Sequence, residues 1–453
     1  MLDLKDIYKI KMKNGIKCPF FLLFLIFQLV SSQQNKFNIP TNYISDSNFI
    51  SMITKAPTIL QSLYASPSGS GTSCTNSSPC SLKTAIGKLD KGYALYLKKG
   101  TYDVKSGISI EKSGIPKLYI LISSAPNEKA IITSSKTDEV ALFDISGSYI
   151  IIENLTFKNV KGKDVQGISL SDGGQNHIII RNNVFDSLKT NGLDEDHNAN
   201  GILLYGSNKS GIKQVIIYNN TLTNNVLGYS EAISVAGNCE EVYVLQNTLK
   251  DNTNIGIDFY GNAGYCKTKE LDQPRKSVAI KNYIEKSVSP YDDCAGLYVD
   301  GARDIYLAEN TIVKSQFGIE VGSEEKNDKY PVKNILVKNN IMRDNTVVGM
   351  RIGGFEESKD ETGVVHNCTI IGNTISGSHT AVDITKTNNI VFDSNKMIDI
   401  DKFFVDMEFS STYIKNIKFT NNIFSGTGRF RLYKTEKLSL DEFIKKYPTN
   451  KKQ

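Results

Sequence analysis

Between residues 231 and 351 the chain repeatedly sets an ionisable or phenolic side chain inside a short apolar phrase. GIDFYG carries Asp258 and Tyr260, GLYVDG carries Tyr298 and Asp300, GIEVGS carries Glu320, and GMRIGG carries Arg351. The second and fourth residues of each phrase are apolar, so in an extended strand the third and fifth point the other way. Glu231 lies just before the related phrase AISVAG. These residue types suit two chemistries. In the first, Asp258, Asp300 and Glu320 supply oxygen ligands for a cation such as Ca²⁺, while Arg351 or Tyr298 meets a proton or a leaving oxygen; that is elimination next to a neutralised carboxylate. In the second, Asp258 and Glu320 are paired carboxyls. Inverting hydrolysis of a glycosidic bond separates such a pair by roughly 6.5–9.5 Å, and two strand spacings of ~4.8 Å come near that range. Tyr260 offers a ring face, and Glu231 and Arg275 are further ligand contacts, Arg275 through its fork of donors.

Positioning these groups requires a regular scaffold, and the sequence supplies one. The phrases IIIRNNVF, VIIYNNTL, VYVLQNTL, VAIKNYI, IYLAENTI, ILVKNNIM, CTIIGNTI, IVFDSNKM and IKFTNNIF return about every 30 residues. They align Asn183, Asn220, Asn247, Asn282, Asn310, Asn340, Asn373, Asn395 and Asn422 in one column, with Leu155 as its first member. Apolar and polar residues alternate with the strand period and no 3.6-residue period appears. A period of this length made of short strands is a stacked solenoid. Propellers, leucine-rich repeats and helical repeats each need a signature missing here. In a parallel β-helix, coils stack ~4.8 Å apart, so Asn at one phase can hydrogen-bond coil to coil. The Asn column reads as structural. The GISLSD-type phrase is then a further strand of each coil, and reading its third positions up the stack gives Ser169, Leu203, Ser234, Asp258, Tyr298, Glu320, Arg351 and Asp383. The insertions GNAGYCKTKELDQPR and SVSPYDDC flank this face and suggest a groove. In the first of them Asp272 and Arg275 are expected to pin the loop.

Of 453 residues, 40% are hydrophobic and 22% charged, a globular composition. The net charge of +5 gives no footing for nucleic-acid binding. Pro19 to Val30 is an apolar run preceded by Lys11, Lys13 and Lys17, too short to span a bilayer, and reads as a secretory signal cleaved near Ser32. The expected organisation is a signal over 1–32, a flexible lead-in over 33–60, a β-helix over 61–445 and a polar tail over 446–453. Ser81 or Leu82 to Leu89 forms a short helix in the N-terminal cap, and Ser439 with Glu442 is a capping box for a terminal helix. In an oxidising compartment Cys74 and Cys80 are expected to close a disulfide. Cys239, Cys266, Cys294 and Cys368 lack zinc spacing. Sequons fall at Asn76, Asn154, Asn208, Asn219 and Asn367, with Asn76 and Asn208 in apparent loops as the better glycosylation sites. The run Asp194-Glu195-Asp196-His197 reads as a solvated loop, and His177, His366 and His379 as incidental.

Together these residues resemble the pectate-lyase-like superfamily of secreted right-handed parallel β-helix proteins over most of residues 61–445. Tyr64 to Tyr102, with KGTY, is similar to the cap and first coil of such proteins, and NIGIDFYGNAGYC, LDQPR, GLYVDGA and FGIEVGSE are similar to a group of bacterial β-helix proteins. The resemblance implies an all-β fold of about ten or more coils with an N-terminal cap and a short C-terminal helix. It also implies a secreted monomer acting on polysaccharide, with no membrane attachment once the signal is removed. A lyase on a uronate-containing chain is the leading expectation; a glycoside hydrolase and a non-catalytic glycan-binding protein are the alternatives. The calcium-binding Asp cluster with Lys base of family-nine lyases, the Asp-Pro-His motif of alginate epimerases and the paired-Asp pattern of polygalacturonases are not found, so no catalytic residue transfers motif for motif.

Overall fold

In this computed structural model residues 53–453 are described, apart from 137, 193, 292 and 355–361. The leader expected over 1–32, and the lead-in as far as residue 52, lie outside the described residues. Each coil visits three faces in turn. The three faces are 13-stranded sheets. The first runs from Gln61–Ala65 to Ile414–Thr420, the second from Gly100–Asp103 to Lys451–Lys452, and the third from Ile108–Ile110 to Arg429–Leu432, with Glu436–Leu438 at its end. Pairing is parallel throughout, except that Glu436–Leu438 closes the third sheet antiparallel. The fold is a parallel β-helix.

The bend between first and second sheets shows why Asn holds its phase. Asn310 accepts at Oδ1 from both the backbone N–H and the Nδ2 of Asn282, each at 2.9 Å. Its own Nδ2 donates to Ala279 O at 2.8 Å and to Asn340 Oδ1 at 2.9 Å. The same pattern runs from Asn183 to Asn422, with Leu155 N–H as the first donor. The residue before each ladder Asn takes the left-handed conformation, including Lys281 (φ 57°) and Glu309 (φ 54°), where a side chain normally disfavours it. The ladder bonds offset that cost.

The ladder does not stop at Asn422. Asn450 Oδ1 accepts from the Asn422 N–H at 3.0 Å, and Lys451–Lys452 pairs with Ile423–Gly426. The tail expected to be merely polar is the last rung. Inside, the apolar residues of all three faces form one continuous core, with Phe157 stacked on Phe185 at 4.9 Å between ring centres. The helix Leu82–Gly87 caps one end, with Ser81 accepting from Thr84 N–H. The helix Leu440–Lys446 closes the other, with the Ser439–Glu442 capping box formed and Phe443 stacked on Phe430 at 3.7 Å. Cys74 and Cys80 are joined in a disulfide. Among the described residues no helix is long and apolar enough to cross a membrane.

Candidate active site

The third sheet sets the register of the column read from the sequence. Ser234 pairs with Asp258, Asp258 with Tyr298, Tyr298 with Glu320, Glu320 with Arg351, and Arg351 with Asp383. These side chains point away from the core, yet they are covered: Asp258 and Asp300 are 2% exposed, Tyr298 5% and Glu320 7%. Flanking loops do the covering. Asp300 accepts from the Glu324 N–H at 2.9 Å, and Tyr298 donates to Glu324 Oε1 at 3.2 Å. Tyr298 reaches Glu324 across Gly322, where a Cβ would stand 2.6 Å from the phenol oxygen. The loop after the Asp258 strand is pinned by Asp272, which accepts from Gly264 N–H at 2.7 Å and Cys266 N–H at 2.8 Å. It is latched to the next loop through Asn327 Nδ2 to Asn262 Oδ1 (3.0 Å) and Gln273 Nε2 to Tyr330 O (2.9 Å).

Burial among like charges sets the protonation of this cluster. Asp258 is pushed well above the usual carboxylate range by burial, then by the charges of Glu231 and Asp300. Asp300 is raised for the same reason, with Glu324 as its nearest like charge. Glu320 is raised to about 8 by burial, although Arg351 pulls it back. Glu231 is raised only to about 7, because hydrogen bonds from Ser234 and Asn200 oppose the effect of burial. Asp258 Oδ1 is buried and has no hydrogen-bond partner. A carboxyl group that is largely protonated, with one oxygen unclaimed, is equipped to give a proton. Glu231, whose charge acts on it and whose own rise to about 7 is opposed by hydrogen bonds, is equipped to take one once ionised.

Several expected roles change. The cation site on Asp258, Asp300 and Glu320 does not fit: among the described residues no three His, Cys, Asp or Glu side chains are placed to hold a metal ion. Asp258 and Glu320 are separated by the Tyr298 strand, and Asp300 is spent on the Glu324 backbone. Arg351 is engaged on one edge, its Nε donating to Asp383 Oδ2 at 2.9 Å and its guanidinium lying 4.3 Å from the Phe317 ring centre. Arg275 stands apart from this face. It is on the first sheet, 6% exposed, paired with Glu240 Oε2 at 3.0 Å and bonded to Asn238 Oδ1 at 3.0 Å. Glu231, expected as a substrate contact, joins Asp258 in the acid cluster.

Tyr260 is where the column placed it, and three tyrosines that the sequence did not single out join the site. Tyr265, from the insertion, meets Tyr260 edge-on at 5.1 Å and Tyr205 at 4.9 Å. Tyr229, two residues before Glu231, stacks on Tyr291 at 4.6 Å. Tyr205 was visible as a fifth-position residue of its strand, whereas no periodicity marks Tyr229, Tyr265 or Tyr291. Next to Tyr229 is an open recess of 480 Å³ lined by Asp194, Glu195 and Asp196, and His197 Nδ1 stands 3.7 Å from Asp194 Oδ2. A recess of 610 Å³ at the N-terminal cap, lined by Lys83, Tyr102, Asp103 and Lys105 among others, lies on coils far from the acid cluster.

Residues 277–436 match the family model described as the right handed beta helix region, which supplies the hand of the coil. The curated relative "Uncharacterized protein YwoF" of Bacillus subtilis (strain 168) is 29% identical over 316 residues, covering 66% of this chain and 66% of its own. Among solved structures, a GH136 lacto-N-biosidase from Eubacterium ramulus aligns at 12% identity and TM-score 0.48, over 80% of this chain and 64% of its own. The chain thus spans just under two thirds of YwoF and of the biosidase. A mannuronic acid specific polysaccharide family 6 lyase from human gut microbiota aligns at 14% identity and TM-score 0.45, over 87% of this chain and 91% of its own. The molecule is a right-handed parallel β-helix.

Proposed function

We propose that the protein cleaves a glycosidic bond by acid–base catalysis on the third sheet, with Asp258 as general acid and Glu231 as the carboxylate that works with it. The observation that carries this is the Asp258 carboxyl: buried, one oxygen unclaimed, and surrounded by the charges of Glu231, Asp300, Glu324 and Glu320. Hydrolysis needs two carboxyls whose surroundings push their proton affinities apart. Here burial raises both, Asp258 well above the usual carboxylate range under the added charge of its acid neighbours, and Glu231 to about 7 against hydrogen bonds from Ser234 and Asn200. Elimination on a uronate chain, the leading expectation from sequence, would need a cation or an arginine facing the substrate carboxylate. Arg351 is already engaged by Asp383, and the carboxyls do not group around a cation.

The test is incubation of the protein with neutral polysaccharides, alginate and polygalacturonate, following reducing ends and the ultraviolet absorbance of unsaturated sugars together. Reducing ends from a neutral glycan without that absorbance, unaffected by EDTA and reduced roughly 100-fold or more by Asp258→Asn, is the expected result. Unsaturated product from either uronate chain, dependent on Ca²⁺, would restore the elimination reading.

A further inference from the structure

We propose that two pairs of tyrosines at opposite ends of four neighbouring strands clamp an uncharged pyranose chain over the acid floor. Tyr205 with Tyr265 stands at one end, Tyr229 with Tyr291 at the other. This rests on the hydrolytic reading above and names the substrate class for that site.

The placement follows from the strands. Tyr205 is the penultimate residue of Asn198–Gly206, and Tyr265 comes five residues after the end of Ile257–Tyr260. Tyr229 comes four residues before Ile233–Gly237, and Tyr291 four before Ala295–Asp300. These four strands are consecutive in the third sheet, and the last three are the coils of Glu231, Asp258 and Asp300. The two walls therefore bracket the acids and not some other part of the solenoid.

The rings are presented, not merely packed. A tyrosine that served only to anchor its loop would be buried, but Tyr229 is 44% exposed, and Tyr205, Tyr265 and Tyr291 are half-buried. Tyr229 and Tyr291 lie nearly parallel, 16° apart, so one face of Tyr229 rests on its partner and its exposure belongs to the rest of the ring. Tyr265 is held by backbone on both sides: Gly264, at φ 82°, and Cys266 each donate an N–H to Asp272. A fixed aromatic face is what the apolar C–H face of a pyranose needs, because neither partner loses much freedom on contact.

Charge decides against an anionic chain. The exposed carboxylates Asp194 and Asp196 line the recess beside Tyr229, at one wall of the clamp. Carboxyls bond well to sugar hydroxyls, whether as acceptors or, when protonated, as donors. A polyuronate would meet like charge at that recess, whereas the protonated floor offers hydroxyl partners to a neutral chain.

The experiment is calorimetric binding to Asp258→Asn, which removes turnover as a complication, with xylohexaose, cellohexaose, mannohexaose and hexagalacturonate as probes. At least one neutral hexasaccharide binds, and hexagalacturonate binds at least 10-fold more weakly. Adding Tyr229→Ala or Tyr265→Ala weakens the neutral ligand about 5- to 10-fold, whereas Tyr229→Phe and Tyr265→Phe leave it within about twofold, since the ring and not the hydroxyl makes the contact. Thermal melts of the variants separate a lost contact from a lost fold, and Tyr229, at the surface, is the safer of the two. Failure of every neutral probe to bind, tighter binding of hexagalacturonate, or alanine variants that bind like their parent would each overturn the clamp. Binding that follows the tyrosines, in a protein whose wild type releases no reducing ends, would remove the hydrolytic reading and keep the clamp. Turnover that ignores both tyrosines would do the reverse.

Discussion

At Asp258 a carboxyl group is held where water cannot solvate its charge, and its neighbours are other acids. Its proton is retained because giving it up would bring a further negative charge against Glu231 and Asp300. The catalytic consequence is a pH profile. Activity rises as Glu231 ionises, with a limb near its value of about 7, and falls again as Asp258, raised well above the ordinary carboxylate range, gives up its proton. Measured kcat against pH checks this, and an optimum near pH ~5 would show that Glu231 is not the ionised partner. Arg275 gives the contrasting case. Replacing it with Ala takes one of two cationic partners from Glu240, Lys276 remaining, and strips the buried Asn238 Oδ1 of its donor, and costs roughly 1–3 kcal/mol in urea unfolding without changing KM. Residue types alone did not separate these two roles. Asp258 could be placed from the period of its strand, whereas Arg275 depended on which sheet its strand joined, and its partner Glu240 is 35 residues away in sequence.

At the scale of the element, the Asn ladder was legible because its constraint is local and repeated. Only a short side chain that both donates and accepts can reach one coil up and one coil down at the bend, so the sequence returns to Asn there. Asn310→Ala removes an acceptor for two donors and a donor to two acceptors, all buried. The expected loss is about 2–4 kcal/mol, against less than ~0.5 kcal/mol for Asn76→Ala in the exposed disulfide loop; denaturant midpoints of the two variants compare them directly. A second ladder escaped the sequence reading. Leu188 N–H donates to Asn225 Oδ1, Asn225 to Asn252, and three coils on the same place is taken by Ser287, Ser315 and Asn345. Its mixed Ser and Asn identities blur the column that a single residue type would reveal. The insertion that carries Tyr265 was legible as a groove wall but not in its path, because a loop pinned by one Asp to two backbone N–H groups has no period to read. Arg351 had two ionisable neighbours in its column, Glu320 below and Asp383 above, and the column alone did not say which it would choose.

At the scale of the whole molecule, the same acids that serve the site act against the fold as pH rises. Glu231 and Glu320 are raised from ordinary values near 4.5 to about 7 and about 8, Asp383 to about 6 from 3.8, and Asp258 and Asp300 further still. Between their unfolded and folded values the native state binds more protons than the unfolded chain, so stability falls with increasing pH across that interval. Other carboxyls work in the opposite sense: Glu240 and Asp186 are held low by hydrogen bonds from Lys276 and Lys158, among others, and the stability they contribute is lost on acidification below about 4.5. The two groups leave a maximum near pH ~5, on the acid side of the catalytic optimum. Urea unfolding should therefore show a decline on the order of 1–3 kcal/mol from about pH 5 to about pH 8. Glu231→Gln combined with Asp258→Asn should lessen that decline, Glu320, Asp383 and Asp300 still contributing, while leaving the loss below about pH 4.5 in place, because the neutral amides occupy the same volume without acquiring charge. A wild type whose stability stays level or rises toward about pH 8 would mean that the cluster is solvated and ionised in the native state, and the assignment of Asp258 as proton donor would fall with it.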